Sequence, residues 1–158
     1  MKVNRGKQFE DNIRKTLESM DNVVCQRLYD NMGGFVNIKY PADFIVFRSP
    51  KLIYLECKSI HGASIPLANL TQLDRLCETV KDKKDVSGKF LIWFVDKQCT
   101  FLVDCFYIKN VRDSIIGHTV KSLNYQTLRQ NCAHLIKEVP AVYPRVNGKY
   151  DLRILFEE

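Results

Sequence analysis

No run of apolar residues approaches the ~18 to 20 needed to cross a bilayer. The N-terminal stretch Met1-Lys2-Val3-Asn4-Arg5-Gly6-Lys7 lacks the apolar core of a signal peptide. No membrane is therefore expected among the partners, and the expected compartment is the cytoplasm. Histidine is scarce, and neither His61, His118 nor His134 stands at zinc-like spacing from a cysteine. The six cysteines (Cys25, Cys57, Cys77, Cys99, Cys105 and Cys132) form no C-x-x-C pair, which points to free, mostly buried thiols in a reducing compartment. The absence of a glycine-rich phosphate loop and of a nucleophile elbow leaves a metabolic enzyme without support. With no internal repeat, low-complexity tract or linker, residues 1–158 read as a single domain.

The hydrophobic content of 46% and charged content of 27% are those of an ordinary globular protein. The net charge of +6 points to an anionic partner, with nucleic acid ahead of a membrane surface. The plain alternative is a solubilising charge with no partner.

Phe9, Ile13, Leu17 and Met20 recur at helical spacing, which predicts a first helix over about 7–20 with Asn4 able to cap it. Residues 23–29 read as a short strand and Asn31-Met32-Gly33-Gly34 as a loop. After a loop over 59–66, a second helix is predicted over about 68–81, with Leu70, Leu73, Cys77 and Val80 inward. The run Phe90-Leu91-Ile92-Trp93-Phe94-Val95 is too continuously apolar for a half-exposed strand and predicts a central one. Asp96-Lys97-Gln98 turns the chain into a strand over 100–106. A third helix is predicted over 125–137 from Leu128, Cys132, Leu135 and Ile136, and an edge strand over 150–156. This order implies an α/β fold, a mixed β-sheet flanked by helices.

Two carboxylates and an ammonium stand at the ends of two consecutive apolar segments: Pro41-Ala42-Asp43 precedes Phe44-Ile45-Val46-Phe47, and Leu52-Ile53-Tyr54-Leu55 runs into Glu56-Cys57-Lys58. Arg48-Ser49-Pro50-Lys51 between them is turn-like. If residues 49 and 50 centre an antiparallel hairpin, Asp43 faces Glu56, and Lys58 shares the face of Glu56 because strand side chains alternate. Like charges directly opposite one another destabilise a sheet unless a positive charge intervenes. A divalent metal ion meets that need, and Mg²⁺, with Mn²⁺ able to substitute, takes one or two protein carboxylates and keeps several waters. The main-chain carbonyl of Cys57 could add a ligand. Such an ion polarises a phosphate and acidifies bound water, while Lys58 would orient the water or neutralise developing charge. The alternative is a solvated acidic pair with Lys58 in a surface ion pair.

Asp43, Glu56 and Lys58 make the chain resemble the PD-(D/E)XK nuclease superfamily, with Glu56-Cys57-Lys58 as the E-x-K half and Pro41-Ala42-Asp43 as the P-D half with one residue inserted. Asn4-Arg5-Gly6-Lys7-Gln8-Phe9-Glu10 is similar to the N-terminal helix signature of Holliday-junction resolvases of the RecU and Hjc types. Ile65-Pro66-Leu67-Ala68-Asn69-Leu70-Thr71-Gln72 is similar to the segment entering the RecU-type second helix. The resemblance covers about 4–106 and leaves 107–158 as a C-terminal extension. It implies a restriction-endonuclease-like core, with Glu10 reaching the metal from the first helix and Gln72 beside Lys58 holding water or phosphate. Each has a local alternative: Glu10 could pair with Arg14 one turn on, and Gln72 could close a capping box with Asn69. The interval before Asp43 is too short for the long stalk of RecU-type enzymes, so the architecture is expected nearer the compact Hjc type. Small size and a divergent C-terminal third would suit a phage or mobile-element enzyme acting in a bacterial host cytoplasm.

The function implied is hydrolysis of phosphodiester bonds in branched DNA, above all resolution of four-way junctions. Two cuts on strands of like polarity call for a homodimer. The alternatives are a repair or restriction endonuclease of the same fold, or a non-catalytic branched-DNA-binding module. DNA phosphates would be met by Lys2, Arg5 and Lys7 on the N-terminal arm and by Arg27 and Lys39 around the Gly33-Gly34 loop.

Overall fold

The computed structural model describes residues 4–29, 39–113, 120–133, 135–140 and 150–157. A six-stranded mixed sheet in the order β1-β2-β3-β5-β6-β8 forms its centre. The strands are β1 (Val24–Arg27), β2 (Phe44–Arg48), β3 (Lys51–Ile60), β5 (Val86–Phe94), β6 (Cys99–Asp104) and β8 (Ile136–Glu138). A second sheet pairs β4 (Ser64–Pro66) with β7 (Ser122–Asn124). The helices are α1 (Arg5–Glu18), α2 (Leu73–Val80), α3 (Cys105–Asp113) and α4 (Tyr125–Gln130). Among the described residues no helix is long and apolar enough to cross a membrane.

The hairpin register is the expected one: Phe44 pairs with Leu55 and Arg48 with Lys51 across a turn containing the cis Ser49–Pro50 bond. β5 is central, parallel to β3 on one side and antiparallel to β6 on the other. Both faces of the sheet are covered, which is what the unbroken apolar run in β5 requires. On one face α1 lays Phe9, Ile13 and Leu17 against Phe44, Val46, Ile53, Leu55 and Leu91, joined by Val139, Leu152 and Leu155. On the other, α2 and α3 lay Leu73, Leu76, Cys77 and Ile108 against Phe90, Ile92 and Phe94. Alternation along β3 thus sends Ile53, Leu55 and Cys57 toward α1, and Tyr54, Glu56 and Lys58 toward the α2 side.

Asn4 caps α1 as expected, its side chain accepting from Lys7 N–H at 3.2 Å. All six cysteines are free, with Cys57, Cys77 and Cys105 buried. Several elements differ from expectation. The second helix begins at Leu73, because residues 67–69 form a separate 3₁₀ turn. The segment over 59–66 is not all loop: β3 continues through Ile60, and Ser64–Pro66 pairs with β7. The strand expected over 100–106 ends at Asp104, whose Oδ1 accepts from Phe106 N–H at 2.9 Å and opens α3, a helix the spacing did not signal.

The helix expected over 125–137 stops at Gln130. Asn131 Nδ2 donates to Thr127 O at 2.7 Å, and residues 136–138 pair with β6 instead. Leu135 and Cys132 are exposed, so their helical spacing was coincidental. The edge strand expected over 150–156 is a 3₁₀ helix at Leu152–Leu155 that turns Leu152 and Leu155 into the core. The loop at 31–34 lies outside the described residues.

Candidate active site

The antiparallel ladder of β2 and β3 ends at Phe44 and Leu55, and the chain just beyond it builds the site. The Asp43 N–H donates to Leu55 O at 3.1 Å, and Leu28 N–H donates to Asp43 O at 2.7 Å. These two bonds lock the Asp43 backbone between β1 and β3. The Asp43 side chain turns onto β3, where Oδ2 accepts from the Cys57 N–H at 2.8 Å. The main-chain N–H and C=O of a strand residue point to the same edge. The Cys57 carbonyl therefore faces the edge that Asp43 occupies, past the end of the β2 ladder.

Glu56 is only 2% exposed, on the α2 side and opposite Phe90 in the β3–β5 pairing. Lys58 Nζ lies 2.9 Å from Glu56 Oε1. The Glu56 and Asp43 carboxyl groups are close enough electrostatically for each to shift the other's proton affinity. Burial pushes Glu56 up to about 8, the Asp43 charge adds to that, and Lys58 opposes it. Burial raises Asp43 as well, against the Cys57 N–H, Lys58 and Arg27. A buried carboxyl and a half-buried one sharing one ammonium are short of positive charge, an arrangement that disfavours folding and is typical of working sites.

Glu10 enters from α1. Burial raises its carboxyl, then the nearby Asp43 charge, with Arg27 opposing. Its ion-pair partner is Arg27 of β1, while Arg14 pairs with Glu18 at 3.1 Å. The local alternative for Glu10 is thereby ruled out, since its neighbour on the helix is engaged elsewhere.

Gln72 does not make the capping box. It is itself the residue before α2, and its Oε1 accepts from Thr71 Oγ1 at 3.1 Å. The layer it belongs to covers the face carrying Glu56 and Lys58, but among the described residues it has no direct hydrogen bond to Lys58.

Arg5, Lys7 and Lys39 are exposed, and Lys2 lies outside the described residues. Arg27 is not a free surface cation: it reaches both Glu10 and, at 3.5 Å, Asp11. Its carbon Cζ sits 5.1 Å over the Tyr29 ring and 6.0 Å over that of Phe44. The sequence offered no signal for this role, because the pairing of β1 with β2 closes over a long intervening segment.

The donor set suits a hard divalent cation. Asp43 and Glu56 supply the one or two carboxylates that Mg²⁺ typically takes, and the Cys57 carbonyl supplies a neutral oxygen. Their deficit of positive charge is what such an ion would correct. Among the described residues no three His, Cys, Asp or Glu side chains converge as a ready metal cluster. Glu10, which feels the Asp43 charge, is engaged by Arg27.

No family model matches the chain, and no curated protein matches it. Among solved structures the chain is similar to Hjc, a Holliday junction resolvase from the archaeal hyperthermophile Archaeoglobus fulgidus, at 13% sequence identity over 77% of this chain and 89% of that one, with a TM-score of 0.49.

Proposed function

We propose that this protein is a metal-dependent endonuclease that hydrolyses phosphodiester bonds in branched DNA, above all at four-way junctions. The observation that carries the chemistry is the buried Glu56 carboxyl with Lys58 Nζ at 2.9 Å and the half-buried Asp43 carboxyl as its electrostatic neighbour. The preference for branched DNA rests on the similarity of Asn4–Glu10 and Ile65–Gln72 to junction-resolvase signatures.

Asp43 and Glu56 would hold a Mg²⁺ ion, with Mn²⁺ able to substitute. Such an ion polarises the scissile phosphate and lowers the pKa of bound water. The Cys57 N–H fixes one Asp43 oxygen so that the carboxylate does not rotate away from the strand end. Lys58 orients the attacking water and offsets the charge that builds on the phosphate. Gln72, on the layer above, would steady water or phosphate, and Glu10 would complete the acidic set. Arg5, Lys7 and Lys39 supply exposed positive charge for the DNA backbone. The active form is proposed to be a homodimer, since two identical sites related by a two-fold axis deliver paired cuts.

The test compares Mg²⁺-dependent cleavage of a four-way junction, a flap and a linear duplex of the same sequence. Preferential paired nicking of the junction is expected. Equal cutting of linear duplex would assign the chain to a repair or restriction type. Junction binding without cutting of any substrate would leave a non-catalytic module.

A further inference from the structure

Arg27 stands between two functions. It closes β1, its Cα paired with that of Phe44 and its chain neighbour Leu28 bonded to Asp43 O at 2.7 Å. Its guanidinium pairs with Glu10 and reaches Asp11, and it lies over the rings of both Tyr29 and Phe44. The Arg27 and Glu10 side chains are 21% and 23% exposed, so this is not the loose surface pair that contributes little. The guanidinium spans two carboxylates, Nη2 on Glu10 and Nη1 toward Asp11, and is a persistent partner because its donors are planar and always charged. Glu10 also feels the Asp43 charge and so borders the Asp43–Glu56 pair.

We infer that Arg27 is a positioning residue that competes with a divalent cation for the Glu10 carboxylate, and that a DNA phosphate relieves this competition by drawing Arg27 away. This rests on the nuclease reading above. In the DNA-free protein Arg27 supplies part of the positive charge that the acidic site lacks. Guanidinium and divalent cation repel one another and share one carboxylate, so each weakens the other. A phosphate that takes the guanidinium leaves Glu10 to turn to the ion. Binding free energies are reciprocal, so if DNA tightens the ion, the ion must tighten DNA by the same factor. The arrangement couples cation loading to the presence of substrate.

The experiment is calorimetric titration of Ca²⁺ into the full chain, with far-UV circular dichroism confirming the fold of each variant. R27Q is expected to bind Ca²⁺ about tenfold more tightly than the wild type, within the usual range of coupling between sites. R27K, which keeps the charge but loses the fork, should fall between the two. In the E10Q background the effect of R27Q should shrink to less than about twofold, because the contested carboxylate is gone. A short duplex oligonucleotide should tighten Ca²⁺ in the wild type more than in R27Q. An unchanged or weaker affinity in R27Q, or a gain that persists in full with E10Q, would overturn the inference and leave the nuclease reading standing. If neither wild type nor R27Q takes up Ca²⁺, both fall together.

Discussion

The Cys57 main-chain N–H donates to Asp43 Oδ2 at 2.8 Å, one step past the last rung of the β2–β3 ladder. This bond fixes the orientation of the Asp43 carboxylate at the strand end. It holds the acid of one strand against the backbone of the next, beside the Glu56 that the next strand carries. The carboxylate geometry is therefore set by the sheet rather than by a mobile loop, as a site that must hold its groups closely requires.

Replacing Asp43 by Ala, or Glu56 by Ala, should lower Mg²⁺-dependent junction cleavage by about 10²-fold or more while leaving junction binding at moderate salt intact. Single-turnover cleavage followed on gels, beside a mobility-shift titration, separates the two effects. Cleavage that survives both substitutions would remove the mechanism proposed above.

Lys58→Met keeps an unbranched side chain of nearly the same length and removes its charge. Loss of a positioned proton-handling or charge-neutralising group typically lowers rate by about 10²- to 10⁴-fold, and the change should fall on kcat rather than on DNA affinity. Steady-state kinetics with a fluorescently labelled junction would resolve the split.

The metal-free protein should lose stability as pH rises. Glu56 has an ordinary value of 4.5 and is pushed to about 8 in the fold. Between those values the folded state holds a proton that the unfolded chain has released, so stability falls with increasing pH across that window. Thermal melting in chelator at intervals from about pH 5 to pH 8 should show the decline, and E56Q should flatten it. A wild-type melting temperature that rises over the same interval, with E56Q following in parallel, would contradict the assignment.

Gly88→Ala should destabilise the fold without touching the site. A Cβ there would lie 2.7 Å from Leu76 Cγ and 2.9 Å from Cys105 Sγ, both packed in the core between β5 and the helices. Overpacking of this kind costs about 1–3 kcal/mol. Urea unfolding should show the lower midpoint, with the slope unchanged.

The basic residues separate by their surroundings. Substituting Arg5, Lys7 or Lys39 by Ala should weaken junction binding evenly across sequences. The slope of log affinity against log salt should fall by about one for each phosphate no longer neutralised. Titrations at several salt concentrations would measure it; an unchanged slope would take the residue off the DNA surface.

Much of the fold was legible because its signals were local. Phe9, Ile13 and Leu17 mark the buried stripe of α1 at helical spacing. The unbroken run in β5 marks a strand covered on both faces. Where long-range pairing competes with local spacing, the local signal fails. Leu135 and Ile136 continue a helical pattern, yet pairing of Ile136 with Val103 and Lys137 with Leu102 draws the chain into the sheet. Helix α3 went unseen because its start depends on the Asp104 carboxylate folding back onto Phe106.

The site divides in the same way. A short turn fixes the register of the strands it joins, so the sequence by itself set Asp43 beside Glu56 and placed Lys58 on the same face. The tertiary structure decided what that register means. Parallel pairing with β5 buries Glu56 opposite Phe90, which is what raises its carboxyl. Docking of β1 on β2 brings Arg27 to Glu10 across seventeen positions of chain. No local turn encodes either arrangement, because both depend on strands and a helix that meet only once the core between them has closed.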